Sequence, residues 1–309
     1  MKSVIFICGA LRSGSSLTHL MLDSHPQIKN PGEFDFLFDQ ITNEGQFPEI
    51  TKYHDWLSTH RIFLSKSLII DKRLSFGELI ESFIEQLSET GKLLALNVHR
   101  SFDRIHYLFP DAKYIHLLRD PRDVSRSSIG MGWAGNVFYG VDHWIETEMS
   151  WKKLTNEKLL SDSFELRYED LISFPEVTLR KICDFLGMPY SVEMLAYTKA
   201  STYSEPNPKL VFQWKTKLTI REVQYVEAKT SNLMIELGYP LSGNKRLTLG
   251  IFERVWLKVT DKVFKAIFSI KRYGIILFFK ERISRLLKLK DMNKKACIAI
   301  NEIDKLFLK

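Results

Sequence analysis

The chain has 309 residues, with 44 Lys and Arg against 37 Asp and Glu, a net charge of +7. Hydrophobic residues at 45% and charged residues at 26% exclude disorder, a collagen repeat or a coiled coil as a description of the whole chain. The basic excess invites a nucleic-acid partner, but its distribution argues against one: residues 245–309 hold 17 basic and 6 acidic side chains, and the other 27 basic and 31 acidic residues leave residues 1–244 at −4. Cys8, Cys183 and Cys297, odd in number and far apart, make neither a disulfide framework nor a metal-ligand spacing, and read as small thiols in a reducing compartment. No apolar run approaches the roughly 18 residues that span a bilayer. Val4–Leu11 lacks a small-residue cleavage site, so a cytoplasmic protein is expected.

In chain order, Val4–Cys8 is a β-prone apolar run ending at Gly9; a short polar loop, Arg12 to Ser16, precedes Leu17, Leu20, Met21 and Leu22 at helical spacing. Leu93–Val98 is a further strand candidate. Ala112–Leu118 is another, running into Arg119, Asp120, Pro121, Arg122 and Asp123 and then a helical stretch; Ser163–Arg167 is a fourth. Strands alternating with helices predict an α/β fold with a parallel sheet whose ligands sit beyond the carboxyl ends of the strands. Ser173 with Glu176 and Thr219 with Glu222 both read as capping boxes, opening helices that stop near Gly187 and Gly238. Ser201–Pro208 reads as a loop. Leu241–Asn244 is the expected boundary between a body, residues 1–244, and a C-terminal helical extension, residues 245–309.

In that extension Phe252, Val255, Trp256, Val259, Val263, Ile267 and Ile270 form one helical stripe, with Arg254, Lys258, Lys262, Lys265 and Arg272 opposite. Two readings stand: the stripe packs on the body with the charges solvated, or residues 251–290 lie on an anionic membrane surface. The stretch Gly130–Tyr139, small residues among Trp133, Phe138 and Tyr139, reads as a mobile aromatic lid or as core filling.

Gly9, Gly14, Ser15 and Ser16 have the outline of a phosphate-binding Walker loop, with Ser15 where the lysine would stand. Backbone N–H groups at a helix amino terminus favour an anion without that lysine. Gly14 allows close approach, Ser13, Ser15 and Ser16 add hydroxyl donors, and Arg12 adds a forked cation.

The run Arg12, Ser13, Gly14, Ser15, Ser16, Leu17 resembles the 5′-phosphosulfate loop of sulfotransferases that use 3′-phosphoadenosine 5′-phosphosulfate (PAPS), with Ser in place of two Thr. His25, Pro26 and Glu33 at their spacing resemble the tyrosylprotein and bacterial branches. Tyr114–Ser127, a strand ending in Arg119 with Ser127 eight residues later, is similar to the family's 3′-phosphate signature. Phe109–Lys113, Leu166–Leu171 and Gln213–Lys215 add further likeness.

The resemblance implies a P-loop-like parallel sheet flanked by helices, PAPS as co-substrate without a metal, and sulfuryl transfer to an acceptor hydroxyl or amine. It implies donor binding by Arg12, Ser13, Gly14, Ser15, Ser16, Leu17, Arg119 and Ser127, with Lys215 in a basic closing loop. Glu33, 21 residues after Arg12, is the first candidate base, and His99 is its rival. Where the family carries an auxiliary lysine near His99 this chain has none, and Arg100 or Lys92 is the substitute on offer. His25 reads as structural, and Arg122 and Arg126 as partners of Asp120 and Asp123. The tail and the aromatic stretch point to a carbohydrate, glycolipid or other membrane-associated acceptor. A P-loop kinase or NTPase, and a non-catalytic membrane-docking protein with a vestigial nucleotide fold, are the alternatives.

Overall fold

A computed structural model describes residues 4–157, 159–160, 162–199 and 201–307. Five parallel strands form one sheet: β1 (Val4–Gly9), β2 (Ile28–Lys29), β3 (Leu93–Val98), β4 (Lys113–Leu118) and β5 (Asp162–Arg167), in the order β2-β3-β1-β4-β5. β1 is central because every one of its residues is apolar or small and buried. Its side chains alternate between two cores: Val4, Phe6 and Cys8 face one, and Ile5 and Ile7 the other.

The first core is filled by Phe34, Phe36 and Phe38, by the helix Phe76–Leu87 and by Trp151 and Leu154. Helices α1 (Ser15–Asp23), α2 (Pro121–Gly130), α3 (Asp142–Asn156), α4 (Pro175–Leu186) and α5 (Ile220–Glu236) are among the others of the body. Leu17, Met21 and Leu22 of α1 and Leu179, Ile182 and Cys183 of α4 cover the other sheet face.

The capping box at Thr219 and Glu222 forms as expected. The one at Ser173 does not. Ser173 is the last residue of a short helix, Tyr168–Ser173, and α4 starts at Pro175, whose fixed φ suits a first helical position. Glu176 instead pairs with Arg180 at 2.7 Å. The two-residue strand β2 was too short to carry a pattern; it aligns the chain so that the N–H of Phe34 bonds the carbonyl of Asn97 at 2.9 Å and Glu33 bridges to the end of β3.

Residues 241–250 form no helix or strand. The extension then makes three helices, α6 (Ile251–Tyr273), α7 (Ile275–Leu286) and α8 (Lys290–Lys305). Gly274, at φ 80°, breaks the first from the second. No helix among the described residues is long and apolar enough to cross a membrane.

The stretch read as an aromatic lid is clamped rather than free. The N–H of Gly135 bonds Asp261 Oδ1 at 2.7 Å, and Asn136 Nδ2 bonds the carbonyl of Leu257 at 2.8 Å. A Cβ on Gly132 would lie 2.2 Å from the ring of Phe268, and one on Gly135 would lie 2.7 Å from Asp261 Cα. The small residues of this loop are the seat of α6.

Candidate active site

The loop after β1 enters α1 through two left-handed residues, Arg12 at φ 72° and Gly14 at φ 99°. The carbonyl of Ala10 accepts the N–H of Ser13 at 3.0 Å, and no side chain caps α1. A Cβ on Gly14 would stand 2.3 Å from Tyr168 Cδ2, so only glycine lets the loop lie against that ring. Tyr168, at the end of β5, also carries the Arg119 guanidinium 4.1 Å above its ring.

Arg12, Arg119 and Ser127 come together although they lie up to 115 residues apart. Arg12 Nε donates to Ser127 Oγ at 2.9 Å, and an Arg119 N–H donates to the Arg12 carbonyl at 2.9 Å. Trp144 Nε1 holds the Arg119 carbonyl at 3.1 Å. Among the described residues neither arginine has a carboxylate within ion-pair distance, and the buried Ser13 Oγ and Arg119 Nε have no partner. Burial, with Arg119 adding to it, lowers the pKa of Arg12. Two adjacent unpaired cations, an orphaned hydroxyl and an uncapped helix start form a site that an anion would complete.

Two clefts meet here. One, of about 360 Å³, is lined by Arg12, Gly14, Leu17, Arg119, Tyr168 and Leu210 among others; the second, of about 420 Å³, by His19, Glu33, Ile62, Ser65, Lys66 and Asn97 among others. Ser15, Ser16, Thr202 and Tyr203 belong to both. The loop Ser201–Pro208 thus spans the junction.

In the second cleft Glu33 Oε1 lies 3.6 Å from His99 Nε2. His99 Nδ1 faces the Gly9 carbonyl at 2.8 Å. A carbonyl only accepts, so Nδ1 carries a proton; Nε2, facing a carboxylate, carries one when the ring is an imidazolium. Burial alone would lower the His99 pKa, but Glu33 and then Asp35 raise it to about 9. Burial likewise would raise the Glu33 carboxyl; His99 first, then Arg61 and Lys66, hold it at about 2.

The two differ in access. The side chain of His99 is 2% exposed and that of Glu33 is 35% exposed. The His99 backbone N–H bonds the buried Asp35 at 2.7 Å, and its carbonyl accepts from Thr147 at 2.8 Å. Asn97 ties the end of β3 to α1 through the Ser15 carbonyl at 3.1 Å.

Other candidates fall elsewhere. Arg100 is committed to Asp39 by two bonds of 2.7 and 2.6 Å, and Lys92 pairs with Glu89 at 2.7 Å near the start of β3. Of the cations acting on Glu33, Lys66 lines the same cleft; it donates to the Pro31 carbonyl and lies 4.9 Å over the Phe34 ring. It lies in residues 34–91, which carry none of the motifs quoted above. Lys215 lies over the rings of Phe212 and Trp214 and lines neither cleft; Lys217 instead lines a shallower one with Arg12, Arg126 and Ser127. Arg122 is fully buried between Asp120 at 2.6 Å and Glu227 at 2.8 Å. His25 is buried against the Pro189 carbonyl at 2.9 Å.

Residues 4–192 match the sequence model of the sulfotransferase family. The chain belongs to that family. The chain is 27% identical over 203 residues to protein-tyrosine sulfotransferase A of Caenorhabditis elegans, covering 62% of this chain and 51% of that protein. It is 36% identical over 155 residues to the omega-hydroxy-beta-dihydromenaquinone-9 sulfotransferase Stf3 of Mycobacterium tuberculosis, covering 44% of this chain and 38% of the relative. The chain therefore spans about half, or less, of the length of these two relatives. Its fold is similar to a sulfotransferase domain from the curacin biosynthetic pathway, with a TM-score of 0.58 at 21% identity over 78% of this chain and 99% of that one. Membership of this family sets aside the P-loop kinase alternative, which Ser15 in the lysine position already opposed.

Proposed function

We propose that this sulfotransferase uses PAPS as donor and a hydroxyl compound as acceptor, with Glu33 taking the acceptor proton. The observation that carries the reading is the meeting of the two clefts at Ser15 and Ser16, with unpaired Arg12 and Arg119 on one side and Glu33 on the other. The residues fit the donor. Ser13, Arg12 and the N–H groups at the start of α1 would suit a phosphosulfate and Arg119 a second phosphate; Ser127, which lines a neighbouring cleft, is joined to them through Arg12, and Tyr168, Ile172 and Leu210 would offer the apolar wall a nucleobase needs.

PAPS would supply an activated sulfuryl group on a phosphate leaving group. The chain's own part is positioning and charge. Arg12 and the loop amides would hold the donor's anionic oxygens and offset the negative charge that grows there. Glu33 receives the proton of the entering hydroxyl, and the buried imidazolium of His99 fixes the carboxylate's orientation. His99 is then a positioning residue, since its ring is sealed from the cleft. Tyrosine, omega-hydroxy and carbohydrate acceptors in the names of similar sulfotransferases share only a hydroxyl, and that is the acceptor class inferred here.

The test is transfer of radiolabelled sulfate from PAPS into lipid and glycan extracts. The wild type gives a labelled product, and Arg12→Ala and Glu33→Gln do not. Full transfer by Glu33→Gln, with loss in His99→Gln, would move the base to His99. No product, together with no nucleotide binding, would sink the reading.

A further inference from the structure

We propose that the outward face of α6 and α7 docks on an anionic lipid bilayer. On a helical projection Phe252, Val255, Trp256, Val259, Val263 and Ile267 share an arc of α6 about 120° wide. In a helix that merely packs on its body, this arc would be the buried one. Here it is the reverse. Leu257, Asp261, Phe264 and Phe268, on the other side, sit on the loop around Gly132–Asn136, while Phe252 is 92% and Trp256 67% exposed. α7 repeats the arrangement: Phe278 and Ser284 are buried, and Ile275, Ile276, Phe279, Ile283 and Leu286 are exposed. On each helix the exposed apolar residues share one side, and bare apolar surface of that extent marks a contact site.

Charge selects the occupant. Among the described residues Lys258, Lys262, Lys271, Lys280 and Lys288, all exposed along these helices, have no carboxylate within ion-pair distance. A second copy of the chain would bring one +11 extension against another, whereas anionic headgroups neutralise the lysines as the stripe enters the acyl boundary. Trp256 within the stripe suits the headgroup level.

The far end of the extension explains what docking would serve. Asn301 Nδ2 bonds the Thr59 carbonyl at 2.9 Å, and Asp304 lies 3.6 Å from Arg61. That segment continues directly into Ile62, Ser65 and Lys66, which line the Glu33 cleft. On the sulfotransferase reading, the acceptor is then a hydroxyl-bearing lipid or glycolipid taken from the docked surface.

Flotation of the full chain with vesicles, without nucleotide, tests this. Vesicles of phosphatidylglycerol and phosphatidylcholine should carry the protein up, and phosphatidylcholine alone should not. Phe252→Ser with Trp256→Ser should lower partitioning about a hundredfold or more. Lys258→Gln with Lys262→Gln should lower it about fivefold per lysine. All these positions are exposed, so circular dichroism and binding of adenosine 3′,5′-bisphosphate should be unchanged. No flotation, or equal flotation of the Phe252 and Trp256 variant, would overturn the proposal. So would a dimer in sedimentation that the same substitutions dissolve. Flotation without bisphosphate binding would instead count against the donor assignment and leave docking standing.

Discussion

Replacing Glu33 with Gln removes the proposed proton acceptor and the partner of a buried imidazolium in one step, so it has two readouts. At 3.6 Å the attraction between Glu33 and His99 is about 4–5 kcal/mol at an effective dielectric near 20. Glu33 is a third exposed, and halving for solvent screening leaves about 2 kcal/mol, or about 1.5 pH units on the His99 titration. His99 should therefore titrate near 9 in the wild type and below that in Glu33→Gln, where Asp35 and the Gly9 carbonyl alone oppose burial. Proton-detected titration of the imidazole gives that shift directly. Single-turnover sulfuryl transfer should fall about 10²–10⁴-fold, as for loss of a general base, with donor affinity retained. A His99 titration unchanged by Glu33→Gln would refute the pairing. Transfer within about tenfold of wild type would refute the base.

The same pair sets a pH dependence of stability. The folded pKa of His99 is raised to about 9, so its contribution is fully present below the ordinary value of about 6.5 and lost as pH rises through about 9. That of Glu33 is depressed to about 2, so its contribution is present above about 4.5 and lost as pH falls towards 2. The melting-temperature gap between wild type and Glu33→Gln should be widest between pH of about 4.5 and 6.5 and should shrink on either side. Gly14→Ala places a Cβ 2.3 Å from the Tyr168 ring at a φ of 99°; it should cost about 2 kcal/mol or more in thermal unfolding, and it should weaken nucleotide binding because that ring supports Arg119. Gly135→Ala drives a methyl against the backbone of Asp261, and about 1–3 kcal/mol of overpacking there should loosen α6, read as faster proteolytic cleavage in residues 241–250 with the body intact.

Local chemistry explains which features the sequence made legible. β1, β3 and β4 are short runs in a parallel sheet, buried except for the half-buried Leu93 and Lys113 at their starts, so composition alone marks them within a residue. The family resemblance singles out Arg12, Arg119 and Ser127, and the fold brings the three together. Lys66 was not readable, since nothing in its own segment signals that the chain will fold it back over Phe34 beside Glu33. Ser173 failed as a cap because Pro175 dictates where α4 starts. The orientation of α6 was hidden for a related reason. An apolar stripe states that a helix has a face, and only the glycines at 132 and 135, which accept the other face, decide which side turns to solvent.

Calorimetry of the full chain with adenosine 3′,5′-bisphosphate and, separately, with ATP and Mg²⁺ tests the central claim most directly. The account predicts binding of the bisphosphate that is lost in Arg119→Ala and no comparable binding of ATP with Mg²⁺. Binding of ATP with Mg²⁺, and none of the bisphosphate, would contradict it.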